Sequence, residues 1–151
     1  MDAVVLMPGE GERIGAAGAE GVMKADAEST RGAFSMSEVT IAPGFAGPPP
    51  HAHREMTDSF YVLEGTVHVL AGEEWIAAPP GAYVLAPPGV VHSFANRGDA
   101  PARLLNINSP GGWERYLRDL AALVAGGDAI DPASFAELAM RHDIVIPGGP
   151  G

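Results

Sequence analysis

The sequence predicts a mainly β domain followed by two α-helices. Three observations lead there. Short apolar runs recur along the first two thirds of the chain, each closed by a turn signal. The 20 glycines and 14 prolines among 151 residues fall between those runs rather than in one low-complexity block. After Pro110-Gly111-Gly112 the apolar spacing changes from strand-like to helical. The length suits one domain, and 46% apolar residues suffice for a core.

Residues 4–7 form an apolar run stopped by Pro8-Gly9 and read as a first strand. Residues 9–21, rich in Gly, Ala and Glu, read as a loop, with a short strand at 22–24. Residues 33–42 (AFSMSEVTIA) alternate loosely and end at Pro43-Gly44, a strand. Three consecutive prolines, 48–50, supply no ladder N–H groups and read as extended chain. Four strands are then expected at 59–63, 66–70, 74–77 and 82–86, and two more at 92–95 and 102–107. Trp113, Tyr116, Leu117, Leu120, Leu123 and Val124 form one helical stripe, stopped by Gly126-Gly127. Asp131 as N-cap and Pro132 at the first helical position open a second helix to about Arg141. These boundaries give a barrel over 1–110, a helical extension packed on it over 111–146, and a disordered tail at 147–151.

Nine Lys and Arg against 19 Asp and Glu leave a net charge of −10. That argues against nucleic acid and anionic membrane surfaces as partners, because both demand clustered cations. The absence of cysteine excludes disulfides, thiolate metal sites and Cys nucleophiles. No stretch approaches the ~20 apolar residues of a membrane-spanning helix. The opening residues lack a basic n-region, so the expected compartment is the cytoplasm.

Three of the five histidines carry the chemistry. His51 and His53 are two apart, so an extended chain turns both to one side. Asp58 follows closely, and His92 comes after the turn Pro87-Pro88-Gly89. Three imidazoles and one carboxylate suit a divalent transition metal: iron, manganese, nickel, cobalt, copper or zinc. Taken singly, these residues fit ordinary solvated or hydrogen-bonded positions equally well. His68 and His142 read as structural or exposed.

The wider pattern resembles the two cupin motifs. GFAGPPPHAHREMTDSFYVLEG, residues 44–65, is similar to the first, and GAYVLAPPGVVHSFAN, residues 81–96, matches the second in full. The resemblance, which covers about residues 34–107, implies a double-stranded β-helix, the cupin jelly-roll barrel. It implies His51, His53 and His92 as ligands, with Gly65, Gly81, Pro87, Gly89 and Asn96 as turn formers. The C-terminal extension is similar to that of bacterial monocupins related to quercetin dioxygenases. One departure matters: the family's acidic ligand is usually Glu, and here Asp58 stands in its place. Asp is shorter by about 1.5 Å, one C–C bond. Asp58 is expected to ligate directly; the alternatives are ligation through water or service as a base beside the metal. Glu55 and Glu64 are substitutes for it.

If Asp58 faces inward, alternation sends Phe60 and Val62 inward too, and His92 brings Phe94. Phe60 and Phe94 are therefore expected to contact substrate, with Val62 as plain core; Met36 is expected to join them, as Phe34 could, from the 33–42 strand, whose parity the pattern leaves open. A metal on an aromatic floor suits a small apolar or aromatic enol or phenol, and a dioxygenase reaction in which Asp58, its pKa raised by burial, takes the substrate proton. The alternatives are a non-redox isomerase, cyclase or lyase using the metal as Lewis acid and Asp58 as acid/base, and a non-catalytic small-molecule-binding cupin. The two helices are expected to cover the barrel's outer surface, with a lid as the alternative. A homodimer is expected, with Tyr61 and Leu63 facing outward towards the partner.

Overall fold

The computed structural model describes residues 2–16, 18–126 and 131–148. Its strands are β1 (Glu12–Ala16), β2 (Ala19–Ala25), β3 (Ser35–Ile41), β4 (Thr57–Glu64), β5 (Val67–Ala71), β6 (Glu74–Ala78), β7 (Tyr83–Ala86), β8 (His92–Ala95) and β9 (Ala102–Ser109). Two helices follow, α1 (Trp113–Ala125) and α2 (Pro132–Arg141). The strands form a six-stranded antiparallel sheet, ordered β1-β2-β3-β9-β4-β7, and a three-stranded sheet, β6-β5-β8. This is the expected mainly β jelly roll with two C-terminal helices.

Alternation along three neighbouring strands grades the barrel interior from polar to apolar. Asn108 of β9 pairs with Ser35 of β3 and Asp58 of β4. One step along, Asn106 pairs with Ser37 and Phe60, and then Leu104 pairs with Val39 and Val62. At the apolar end Ile41, Phe60, Val62, Val67, Val69, Ala78, Ala102 and Leu104 close the core between the two sheets. The Val, Ile, Leu and Phe side chains among them contribute about 1.5–3 kcal/mol each. The polar end is where the histidines arrive.

Two glycines are required by close approach. At Gly47, φ +86°, an added Cβ would fall 1.9 Å from the Phe94 carbonyl oxygen, so only glycine lets the proline-rich segment lie against β8. At Gly65, φ +71°, it would fall 2.7 Å from the Pro101 carbonyl oxygen. Asn96 does more than form a turn. It is buried and donates through Nδ2 to the carbonyls of Ile41 and Ala100, at 3.2 and 2.8 Å, while its Oδ1 accepts from the Gly98 N–H.

The N-terminal expectation is corrected. Residues 4–7 form no strand, and Val5 is 77% exposed. The first strand lies instead in the Gly/Ala/Glu stretch read as loop. As a sheet-edge strand, β1 needs little apolar surface: Ile14 is its buried residue. A bidentate ion pair between Arg118 of α1 and Glu12, at 3.0 and 2.6 Å, ties it to the helix.

The helices also depart from expectation. Beyond packing on the barrel, where α1 meets β1, residues of both helices line the cavity. The N-terminus of α1 is fastened there by Glu114, whose buried carboxylate accepts from Ser35 Oγ at 2.6 Å and the Ala27 N–H at 3.0 Å. Tyr116 of α1 packs with Leu138 and Ala139 of α2 and with Ile144 beyond it. Asp131 caps α2 by accepting from the Ser134 N–H, as its sequence position predicts. Of the expected tail, 149–151 lie outside the described residues.

Candidate metal centre

The centre is built by three separate stretches of chain. Backbone hydrogen bonds of 3.1 and 2.8 Å join His51 to His92 across an isolated antiparallel bridge. His53 is held from the same side by the Gly89 N–H, which donates to its carbonyl at 2.8 Å. Asp58 enters from β4. All four side chains are buried, and one ligand atom from each lies within 4.8 Å of the others.

Each imidazole is anchored through Nδ1 to a backbone carbonyl. His51 donates to Pro49 at 3.0 Å, His53 to Asp143 at 2.7 Å, and His92 to Val90 at 3.0 Å. These bonds place the proton on Nδ1, so the Nε2 lone pairs turn towards the cluster. The rings pack with centroids 4.5–5.1 Å apart. Burial, followed by the neighbouring imidazoles, pushes His51 down to about 4, so it is a neutral donor at pH 7.

Asp58 is gripped from both sides. Its Oδ1 accepts from Asn106 Nδ2 at 2.7 Å and Asn108 Nδ2 at 2.9 Å. Its Oδ2 lies 2.9 Å from His92 Nε2 and 3.6 Å from His53 Nε2. The lost methylene of Asp therefore does not withdraw the carboxylate from the cluster. Glu55 and Glu64 do not substitute for it: both are exposed, and Glu64 pairs with Arg103 at 3.1 Å. The expected rise in the Asp58 pKa is corrected as well. Burial pushes it up, but the His53 and His92 imidazoles outweigh that and hold it at about 2. A carboxylate held this low is an anionic ligand and a poor base near neutral pH.

These residues fit a metal ion. His53 Nε2 is buried with no hydrogen-bond partner. A buried acceptor left unpaired costs about 1–3 kcal/mol, and a cation in the cluster would satisfy it. The N₃O donor set suits a first-row divalent ion.

Beside the cluster opens a cavity of about 580 Å³, a volume that suits a small organic ligand. Phe60 and Phe94 line it as expected, with Phe45, Leu104, Trp113 and Tyr116. Phe94 packs against Phe45 and Phe60 at 5.7 and 5.6 Å between centroids. Met36 does not join them. It pairs with Ile107 on the opposite face of the sheet, because Ser35, Ser37 and Val39 take the inward positions of β3. His68 and His142 lie outside the cluster: His68 accepts from the Arg97 N–H at 3.2 Å, and His142 pairs with Asp119 at 2.7 Å.

Asp143 is a site residue that the sequence reading missed. With φ +35°, it presents its carboxylate to three N–H groups, those of Arg54, Glu55 and Met56, at 2.7, 3.1 and 3.1 Å. Its own carbonyl orients His53. Next to it, Ala52 and Val145 exchange two backbone hydrogen bonds of 2.9 and 2.8 Å. The C-terminal segment thus clamps the His-x-His stretch. The available signal was an acidic residue just past a helix end, which carries no hint of a partner 90 positions away.

Comparison with known proteins agrees with this geometry. Residues 37–108 match the family model described as Cupin domain. The chain superposes on KdgF from Halomonas sp. with a TM-score of 0.65 at 18% identity, covering 76% of this chain and 99% of that one. It superposes on the polyketide cyclase RemF from Streptomyces resistomycificus with a TM-score of 0.62 at 22% identity, covering 72% and 80%. A sugar phosphate isomerase of the cupin superfamily from Silicibacter pomeroyi gives 0.54 at 26% identity, covering 61% and 59%. In sequence, the germin-like protein subfamily 2 member 1 of Arabidopsis thaliana is 35% identical over 85 residues, 51% of this chain and 38% of that protein. The chain therefore matches well under half of that relative's length. All four members of the buried three-histidine, one-aspartate cluster lie within residues 37–108, the stretch similar to that family model. No helix among the described residues is long and apolar enough to cross a membrane.

Proposed function

We propose that the chain is a metal-dependent dioxygenase acting on a small, largely apolar or aromatic enol or phenol. The observation that supports this most is the convergence of three Nε2 atoms and a low-pKa carboxylate at one end of an apolar cavity. His51, His53, His92 and Asp58 would hold the ion. A bound first-row ion would supply Lewis acidity towards an enol or phenol oxygen and, if redox-active, a route for electrons to dioxygen. Phe45, Phe60 and Phe94 would hold the substrate's hydrocarbon against the cluster and exclude water. Asn106 and Asn108 would keep Asp58 anionic and oriented.

Among the described residues lining the cavity, Tyr116 and Asp131 are the titratable groups outside the cluster, and Asp131 is committed to capping α2. That scarcity of free acids and bases favours metal-ionised substrates over the acid/base chemistry of an isomerase, cyclase or lyase. Oxygen uptake by protein loaded with Fe(II), Mn(II), Co(II) or Ni(II), on a panel of flavonols and β-diketones, tests the reading. Turnover of the same panel under strict anaerobiosis would replace it with the Lewis-acid alternative.

The expected homodimer belongs to the same proposal. Of the two residues expected outward, Tyr61 is 42% exposed and Leu63 is half-buried; Tyr83 and Leu85 of β7 beside them are 59% and 51% exposed. Light scattering at micromolar concentration should give twice the chain mass; a monomer contradicts it.

A further inference from the structure

Tyr116 lies outside the matched cupin stretch, on α1, yet it lines the cavity. It is more than nine-tenths buried. Packing alone does not account for it: Phe would fill the same place against Leu138, Ala139 and Ile144. A buried tyrosine hydroxyl ordinarily finds a partner. Here no described residue is hydrogen-bonded to it, and the oxygen is not among the fully enclosed atoms left without a partner. The hydroxyl is thus open to a ligand, while burial of the side chain pushes its pKa up to about 12. The phenol is therefore neutral at any physiological pH and has a hydrogen bond to give.

Its position relative to the cluster is set by two ring contacts in sequence. Trp113 stands edge-on to His53 with centroids 5.2 Å apart, and Tyr116 packs on Trp113 at 4.3 Å. Trp113 also lines the cavity, and in this series of ring contacts its indole stands between His53 and Tyr116.

We propose that Tyr116 is a specificity-determining residue: its hydroxyl donates to an acceptor oxygen, a carbonyl or an ether, at the end of an aromatic ligand remote from the His/Asp cluster. The proposal rests on the enol-or-phenol reading above and adds a second point of attachment to it. Ligands carrying the remote oxygen are selected, and ligands lacking it cover the hydroxyl without giving it a partner.

The test uses full-length protein loaded with Zn(II), which has no redox chemistry, under anaerobic conditions, and tryptophan fluorescence as the readout. The probes are 3-hydroxyflavone and its 7-methoxy and 4′-methoxy derivatives. Wild type should prefer at least one methoxy probe over the parent by roughly threefold to tenfold, the range of one net hydrogen bond. In Tyr116→Phe that ratio should fall to about one. An unchanged ratio in Tyr116→Phe overturns the proposal, including the case in which all three probes weaken together, because that marks a packing role. Absence of any preference in wild type overturns it too. If wild type binds none of the probes, the aromatic-substrate reading itself fails, and this inference falls with it.

Discussion

Asp58 Oδ2 and His92 Nε2 lie 2.9 Å apart, yet the Nδ1 proton of His92 is already given to the Val90 carbonyl. Two lone-pair atoms at that distance need something positive between or beside them. A second proton on His92 is one solution, and its pKa is raised accordingly: burial opposes the charge, but the bond to Asp58 and its negative charge prevail. A divalent cation shared with His51 and His53 is the other. The cluster is thus arranged to attract a cation and to release a proton when it does.

Metal should stabilise the fold by mass action. At free ion one hundred times Kd the gain is about 2.7 kcal/mol. For a chain this size that raises Tm by about 5–10 °C. Thermal scans with Zn(II) or Mn(II), against scans with chelator, check this; superimposable curves contradict a folded-state site.

Asp58→Asn should lower metal affinity by at least about tenfold, a minimum set by what even outer partners of ligands contribute. The amide loses the negative charge. With its oxygen kept by Asn106 and Asn108, which both donate to Oδ1, it also turns a donating NH2 towards His53 and His92 where Oδ2 had faced them. Competition against a chelating dye measures the loss. Equal affinity for the two proteins would remove Asp58 from the ligand set.

Asp143→Ala should reach the centre without touching it. Three N–H groups of the 54–56 turn lose their acceptor; those of Arg54 and Glu55 are exposed and turn to water, while that of Met56, part-buried, costs about 1–3 kcal/mol if left unpaired. The His53 anchor loosens with them. Both Tm and metal affinity should fall, with Asp143→Asn between wild type and Asp143→Ala. A lower Tm with unchanged metal affinity would show that the clamp serves the fold alone.

The acid limb of stability should follow the buried carboxylates. For Glu114 and Asp143 burial raises the pKa, but hydrogen-bond donors outweigh it and the folded values are lowered. Groups lowered on folding add stability that is complete above the unfolded carboxylate range near 4 and disappears as pH falls through the folded values. Stability should therefore hold down to about pH 5 and decline below it. Glu114→Gln, which leaves Ser35 and Ala27 with a weaker acceptor, should flatten that decline. Urea titrations between pH 3 and 7 measure both slopes.

Much of the barrel was legible because its strands obey a local rule. β4 puts Asp58, Phe60 and Val62 on one side and Tyr61 on the other, as alternation requires. The α2 N-cap and the α1 stripe were equally local. β1 was illegible because its sequence, ERIGA, alternates no apolar side chains around Ile14 and so carries almost no period. Met36 was misplaced because Ser35, Ser37 and Val39 occupy the inward face: small polar side chains line a cavity as readily as a methionine does, so composition could not settle the parity. Asp143 and the cavity-facing role of α1 depend on contacts across 79 to 90 positions, which no local pattern encodes.

The central claim is that His51, His53, His92 and Asp58 share one ion inside the barrel. Anomalous diffraction from crystals grown with Zn(II) tests it most directly. The account predicts a single strong peak within the cluster, about 2.0–2.1 Å from each of the three Nε2 atoms, with Asp58 as the oxygen ligand. A cluster without a peak at saturating Zn(II), its imidazoles turned away from one another, would contradict it.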